Sequence, residues 1–149
     1  MNKTLNQFEK MSDSILELKE TDETKLSEPV KEGKWSIRQI VGHLYYWDNF
    51  NLEKMVPYMI DGADLPAFPD HDQHNEEAMS FITDHSTEDL IDSFVTTRKE
   101  LAERISGVGK DVRFTIGGGK RKLSAESFIK IFLKHDEHHL RQINQKLQK

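Results

Sequence analysis

In four separate stretches the apolar residues of this chain recur at steps of three and four, and no stretch alternates long enough to build a sheet. Period decides the fold class here, because a helix brings residues three and four apart onto one side whereas a strand brings every second residue there. Leu5, Phe8, Met11, Ile15 and Leu18 form the first stripe, within residues 3–20. Ile37, Ile40, Val41, Leu44, Trp47, Leu52 and Met55 form the second, with Ser36 placed to cap it and Pro57 near its end. A third helical region begins near Asn75 and resumes after residues 84–87, where Ser86 and Asp89 have the spacing of a capping box and Leu90, Ile91, Phe94, Leu101 and Ile105 supply the stripe. The fourth opens at Ser124, with Leu123 and Phe128 at hydrophobic-staple spacing, and runs to the end.

The connections differ in length and character. Residues 21–34 carry Pro29 and Gly33 and no sustained period, residues 61–74 carry Pro66 and Pro69 and read as an irregular loop, and residues 107–122 contain five glycines. Within the last of these, residues 112–116 (VRFTI) are the one strand-like run, too short to define a sheet. Four helices joined so unequally predict a four-helix bundle with at least one crossover connection, not a simple up-and-down bundle. At 149 residues the expectation is a single domain, 1–149, with a core of its own.

Charge and composition narrow the chemistry. A net charge of -5 argues against a nucleic-acid partner, since phosphate backbones are met by clustered Lys and Arg. No apolar run approaches the roughly 20 residues of a membrane span, and the opening MNKTLNQFEKM lacks the apolar region of a signal peptide, so a cytoplasmic location is expected. Cysteine is absent. Disulfides, thiolate metal ligands and a cysteine nucleophile are therefore excluded, and any thiol chemistry needs a thiol from outside. There is no G-x-S-x-G nucleophile elbow either.

Three of the seven histidines fall within residues 135–139 of the fourth helix. With Ile131 at zero on a wheel of about 100° per residue, His135 lies at about 40° and His139 at about 80°, on either side of the middle of the apolar face, while His138 at about -20° lies at its margin. Two buried imidazoles without partners would each cost about 1–3 kcal/mol. Either ordinary hydrogen bonds or a shared metal would remove that cost, and an i, i+4 pair is the spacing at which one helix supplies two ligands. Asp136 stands where a zinc protease motif would require Glu, so that reading is poor. On the second helix His43 borders the apolar face, and Asp48 and Asn51 sit inside it. These are candidates for one ligand and for groups that orient ligand imidazoles, or for a buried hydrogen-bond network between helices; Gln142 has the same two readings, and His138 is marginal or supporting. His71 and His74 read as solvated residues in or near a loop, and His85 as a surface residue. Tyr45, Tyr46, Trp47 and Phe50 could line a pocket beside the ligands, with core packing the alternative.

Residues 33–48 (GKWSIRQIVGHLYYWD), followed some ninety residues later by residues 135–143 (HDEHHLRQI), resemble the DinB/YfiT-like superfamily of metal-dependent enzymes. The likeness rests on the Trp-Ser entry to the second helix, its Gly-His-Leu, and the H-x-x-x-H with the following Gln-Ile, and it covers nearly the whole chain. The resemblance implies an all-α four-helix bundle of up-down-down-up topology, with a divalent metal, nickel or zinc, held by three histidines. Carried over by position, these are His43, His135 and His139. It further implies transfer of a low-molecular-weight thiol such as bacillithiol, mycothiol or glutathione to an electrophile. Metal-dependent hydrolysis is the enzymatic alternative, and a non-catalytic metal-binding or stress protein the other. The partners expected are a small-molecule substrate and, for assembly, a second copy in a homodimer, with no nucleic acid and no membrane.

Overall fold

The computed structural model describes residues 2–148. Four long helices make the bundle: α1 (Asn2–Leu16), α3 (Ile37–Phe50), α5 (Thr87–Ser106) and α6 (Ala125–Leu147), with shorter α2 (Glu23–Ser27) and α4 (His71–Ile82) between them. The predicted caps form. The Ser36 side chain accepts from the Gln39 N–H in a reciprocal capping box, Ser86 accepts from the Asp89 N–H, and Ser124 accepts from the Ser127 N–H. Each cap satisfies donors that the first turn leaves without partners.

The second stripe runs on past α3 through a π-helical turn, Asn51–Met55, and a 3-10 turn ending at Tyr58, as its apolar residues through Met55 predict. Two connections are more ordered than their sequences suggest. The 21–34 segment contains α2, whose Leu26 is buried. The 61–74 segment is irregular only as far as Asp70, because the Asp70 side chain accepts from the Asp72 N–H and starts α4 four residues before Asn75. The strand-like run contributes only Thr115–Ile116 (β2), paired in parallel with Asp64–Leu65 (β1).

Helix directions follow from side-chain partners. Near the end of the first helical stretch Lys19 pairs with Asp92, early in α5, while Phe8 lies level with Arg98 further along α5, so α1 and α5 are antiparallel. Arg38 at the start of α3 donates to Thr87 at the start of α5, and Asp48 meets Arg98, so these two helices run together. Phe128 shares a core cluster with Ile105, and Ile143 shares another with Leu90, which sets α6 against α5. The order is up, down, down, up. A parallel α3–α5 pair cannot be joined by a tight turn, and the crossover is the 56–86 segment that carries α4.

The core is split into two apolar clusters, one around Phe8, Leu101, Phe114 and Phe128, the other around Ile15, Ile40, Leu90 and Phe94. Each fully buried aromatic or aliphatic side chain contributes about 1.5–3 kcal/mol of burial. The guanidinium of Arg98 lies 3.9 Å over the Phe8 ring of one cluster and 4.9 Å from the Phe94 ring of the other. It is 1% exposed and uses all five of its N–H donors, on Asp48, Asp136 and the Phe8 carbonyl. One side chain on α5 thereby bonds to all three other long helices.

Candidate metal centre

Gly42 lets α4 lie close on α3: a Cβ there would collide with Ile82. This close approach brings Asn75 of α4 beside His43, which sits at the next position of α3 and is buried. From the other side α6 presents His135 and His139, one turn apart. The Nε2 atoms of His43 and His135 are 3.0 Å apart and those of His135 and His139 are 3.2 Å apart. One nitrogen from each of the three rings lies within 4.8 Å of the others. The structure thus brings together the three histidines expected from the sequence.

The outer nitrogens define the tautomers. His43 donates its Nδ1–H to Asn75 Oδ1 at 2.9 Å, and His139 donates its Nδ1–H to Gln142 Oε1 at 2.8 Å. Both rings therefore turn an Nε2 lone pair toward His135. His135 Nε2 can donate a proton to one of them but not to both, so lone pairs face each other without a hydrogen between them. A cation resolves this arrangement. Zinc–imidazole bonds of about 2.0–2.1 Å in a tetrahedron place ligand nitrogens roughly 3.3 Å apart, close to the two short separations found.

Burial and then the neighbouring His135 and His139 push the His43 imidazole down to about 3. Burial, followed by His139 and His138, brings His135 down to about 4, and burial also lowers His139. All three are held in the neutral form that a metal requires. Among the residues around them, Trp35 places its ring 4.8 Å from that of His43.

The nitrogens line a cavity of about 520 Å³. Its apolar walls are Trp35, Trp47, Phe68, Phe132 and Ile131, the last of them 40% exposed where the cavity meets the surface. His71 and His138 also line it without joining the trio. The described residues lining the cavity include no lysine, arginine, aspartate or glutamate.

Several expectations need correction. Asp48 orients no imidazole; it accepts from Arg98 at 2.7 Å in the buried network that was its alternative reading. Asn51 is fully buried in the π turn and makes no hydrogen bond to the histidines, and neither of its amide atoms has a partner among the described residues. His74 is a buried residue of α4, its ring centroid 4.2 Å from that of Trp47, and not a solvated one. His85 is half-buried on Phe81, donating its Nδ1–H to the Phe81 carbonyl. Of the four aromatic residues 45, 46, 47 and 50, Trp47 alone lines the cavity; Tyr45 and Tyr46 pack on Phe81, and Phe50 on Trp47. Gln142 accepts from His139 of the trio, and His138 stands beside His139 at 5.1 Å between centroids.

Sequence reasoning missed Asn75, Arg98 and Asp136. Arg98 carried a readable signal, a charge four residues after Phe94 and three before Leu101 on one stripe. Asn75 carried none, because its partner belongs to another helix.

The profile of the DinB superfamily matches residues 7–143. The chain belongs to the DinB superfamily. Among solved structures, this DinB protein resembles YfiT from Bacillus subtilis, with a TM-score of 0.66 and 16% identity over 97% of this chain and 84% of that one. That protein is described as a probable metal-dependent hydrolase with an unusual four-helix bundle topology. At this identity the match bears on the fold, and it agrees with the helix order above. No curated protein matches the sequence. No helix of the described residues is long and apolar enough to cross a membrane.

Proposed function

We propose that this DinB protein is a metal-dependent hydrolase that binds zinc or nickel through His43, His135 and His139 and acts on a small molecule held in the adjoining cavity. The observation that carries this reading is the convergence of three neutral imidazole nitrogens on a cavity that reaches the surface. Three protein ligands leave coordination positions free, as catalytic sites require and closed structural sites do not. When bound, a divalent ion supplies the Lewis acidity that makes water, or a thiol, a competent nucleophile near neutral pH.

The chain's own groups do the rest. Asn75 and Gln142 hold two ligand rings in the tautomer that offers Nε2 inward. Trp35, Trp47, Phe68 and Phe132 exclude water and hold the substrate body. His71 and His138 line the cavity outside the trio and bring further imidazole nitrogens to it.

Thiol transfer is the second reading, favoured by the absence of cysteine, which leaves no thiol in the chain to compete for the metal. Hydrolysis stands first because thiols such as glutathione and bacillithiol carry carboxylates, and the described lining of the cavity has no Lys or Arg to receive them. The relative described as a probable hydrolase supports the same order. The test is an assay of zinc- and nickel-loaded protein on aryl esters and amides, with and without each thiol. Turnover without thiol, lost in a folded His135→Ala variant, is expected. Turnover only with thiol would establish transfer, and metal retention without either would leave a binding protein.

A further inference from the structure

We infer that the substrate of this cavity is a molecule with a flat apolar body that carries no anionic group, joined to one polar group that faces the histidines; this rests on the metal-dependent reading above. The walls are the first ground. Trp35 leans over the ligand rings, 4.8 Å from His43 and 6.4 Å from His139, and the opposite side is built of Trp47, Phe68 and Phe132, whose rings contact one another at centroid separations of 6.0–6.2 Å. Flat ring faces and edges of this kind pack best on a flat partner. Phe68 lies between Pro66 and Pro69, whose fixed backbone angles stiffen the segment that brings it over the site.

The second ground is what the lining withholds. Carboxylate, phosphate and sulfonate groups entering a protein site need an Arg, a Lys or a helix N-terminus to replace their water. The described residues of the lining include no Lys, Arg, Asp or Glu, and the N-terminus of α4, which begins at His71, is already capped by the Asp70 carboxylate. Besides the indole N–H groups of Trp35 and Trp47, its polar side chains are the imidazoles and Asn75, and Asn75 Oδ1 is already committed to His43. A negative charge on the substrate body would thus lie against indole and phenyl rings, whose faces are themselves negative, with no counter-charge. The third ground is size: a cavity of 520 Å³ falls in the range that takes a drug-sized molecule and hides most of its surface.

Both tryptophans of the chain line the cavity, so its own fluorescence reports occupancy. With zinc-loaded protein, three hydroxamates share the same metal-binding head: acetohydroxamate, benzohydroxamate and para-carboxybenzohydroxamate. The expected result is quenching by benzohydroxamate with an affinity at least about tenfold above either of the others, the gain coming from the ring and the loss from the stranded carboxylate. Ile131→Arg, at an exposed position where folding is not at stake, is expected to narrow or reverse the preference between the two aromatic probes by bringing a counter-charge to the mouth. Metal-stripped protein titrated with naphthol and naphthoate reads the walls alone, with naphthol expected to bind more tightly. That arm separates the two readings: loss of all hydroxamate binding with the naphthol preference intact would remove the metal and keep the substrate class. Equal affinity for the neutral and carboxylated aromatic probes, or for acetohydroxamate and benzohydroxamate, would overturn the inference.

Discussion

Arg98 donates two hydrogen bonds, of 2.7 and 3.2 Å, to the carboxylate of Asp136, the residue directly after His135. The same guanidinium holds Asp48, five residues after His43 on the facing helix. The two helices that carry the histidine trio are thus tied together beside it by one buried cation.

Removing that cation strands two buried carboxylates. Arg98→Met should cost about 3–5 kcal/mol of stability in urea unfolding, the usual penalty for breaking a buried ion network from one side. The triple replacement Asp48→Leu, Arg98→Met and Asp136→Leu should recover that loss and could exceed wild type by about 1–4 kcal/mol. A single variant within about 1 kcal/mol of wild type would show that the clasp contributes little.

Metal content should follow the trio. Protein purified without chelator is expected to carry about one divalent ion per chain, lost in each of His43→Ala, His135→Ala and His139→Ala but kept in His138→Ala. Metal at a hundredfold excess over Kd should add about 2.7 kcal/mol to the stability of stripped protein, seen as a higher Tm. Retention of metal by His43→Ala would remove α3 from the site.

The ligands should be ready for metal at neutral pH. His43 and His135 are held neutral down to about 3 and about 4, so metal binding should release almost no protons, and its calorimetric heat should not vary with the ionisation enthalpy of the buffer. Strong buffer dependence would mean that the imidazoles are charged beforehand.

The same shifts set a pH dependence of stability in metal-stripped protein. The unfolded chain binds protons at these histidines as pH falls through 6.5, whereas the folded chain keeps His43 and His135 neutral to about 3 and about 4. The unfolded state therefore holds more protons in that window, and the contribution of these groups is full above 6.5 and lost as pH falls. Urea midpoints from about pH 7 to about pH 5 should drop, and the drop should be shallower in a His43→Gln, His135→Gln double variant.

Asn75→Ala and Gln142→Ala should each weaken metal binding by about 10–100-fold, because each frees a ligand ring to rotate or change tautomer. Competition with a chelator of known affinity reads this directly. The effect should exceed any change in Tm of the stripped protein, which separates ring orientation from general loosening.

The bundle was legible in the sequence because its helices are stripes of apolar residues with serine caps, and both signals are local. Ser36, Ser86 and Ser124 begin α3, α5 and α6 where the chain alone would place them. His135 and His139 could be placed on one face for the same reason, since a helix fixes the angle between residues four apart. The family resemblance, carried by short motifs around His43 and His135, joined His43 to that pair. Tertiary structure decided everything that depends on which helix lies beside which. Asp48 of α3 and Asn51 of the π turn that follows are both buried, yet only the packing of α5 gives Asp48 an arginine, and neither side-chain amide atom of Asn51 has a partner among the described residues. His74 was misread as solvated because Pro66 and Pro69 suggest a loop, while burial under Trp47 comes from α4 folding back over α3 at Gly42. A hydrogen bond such as His43 to Asn75, made across 32 residues, leaves no periodicity along the chain, because its geometry is set by the approach of two helices and not by the turn of either one.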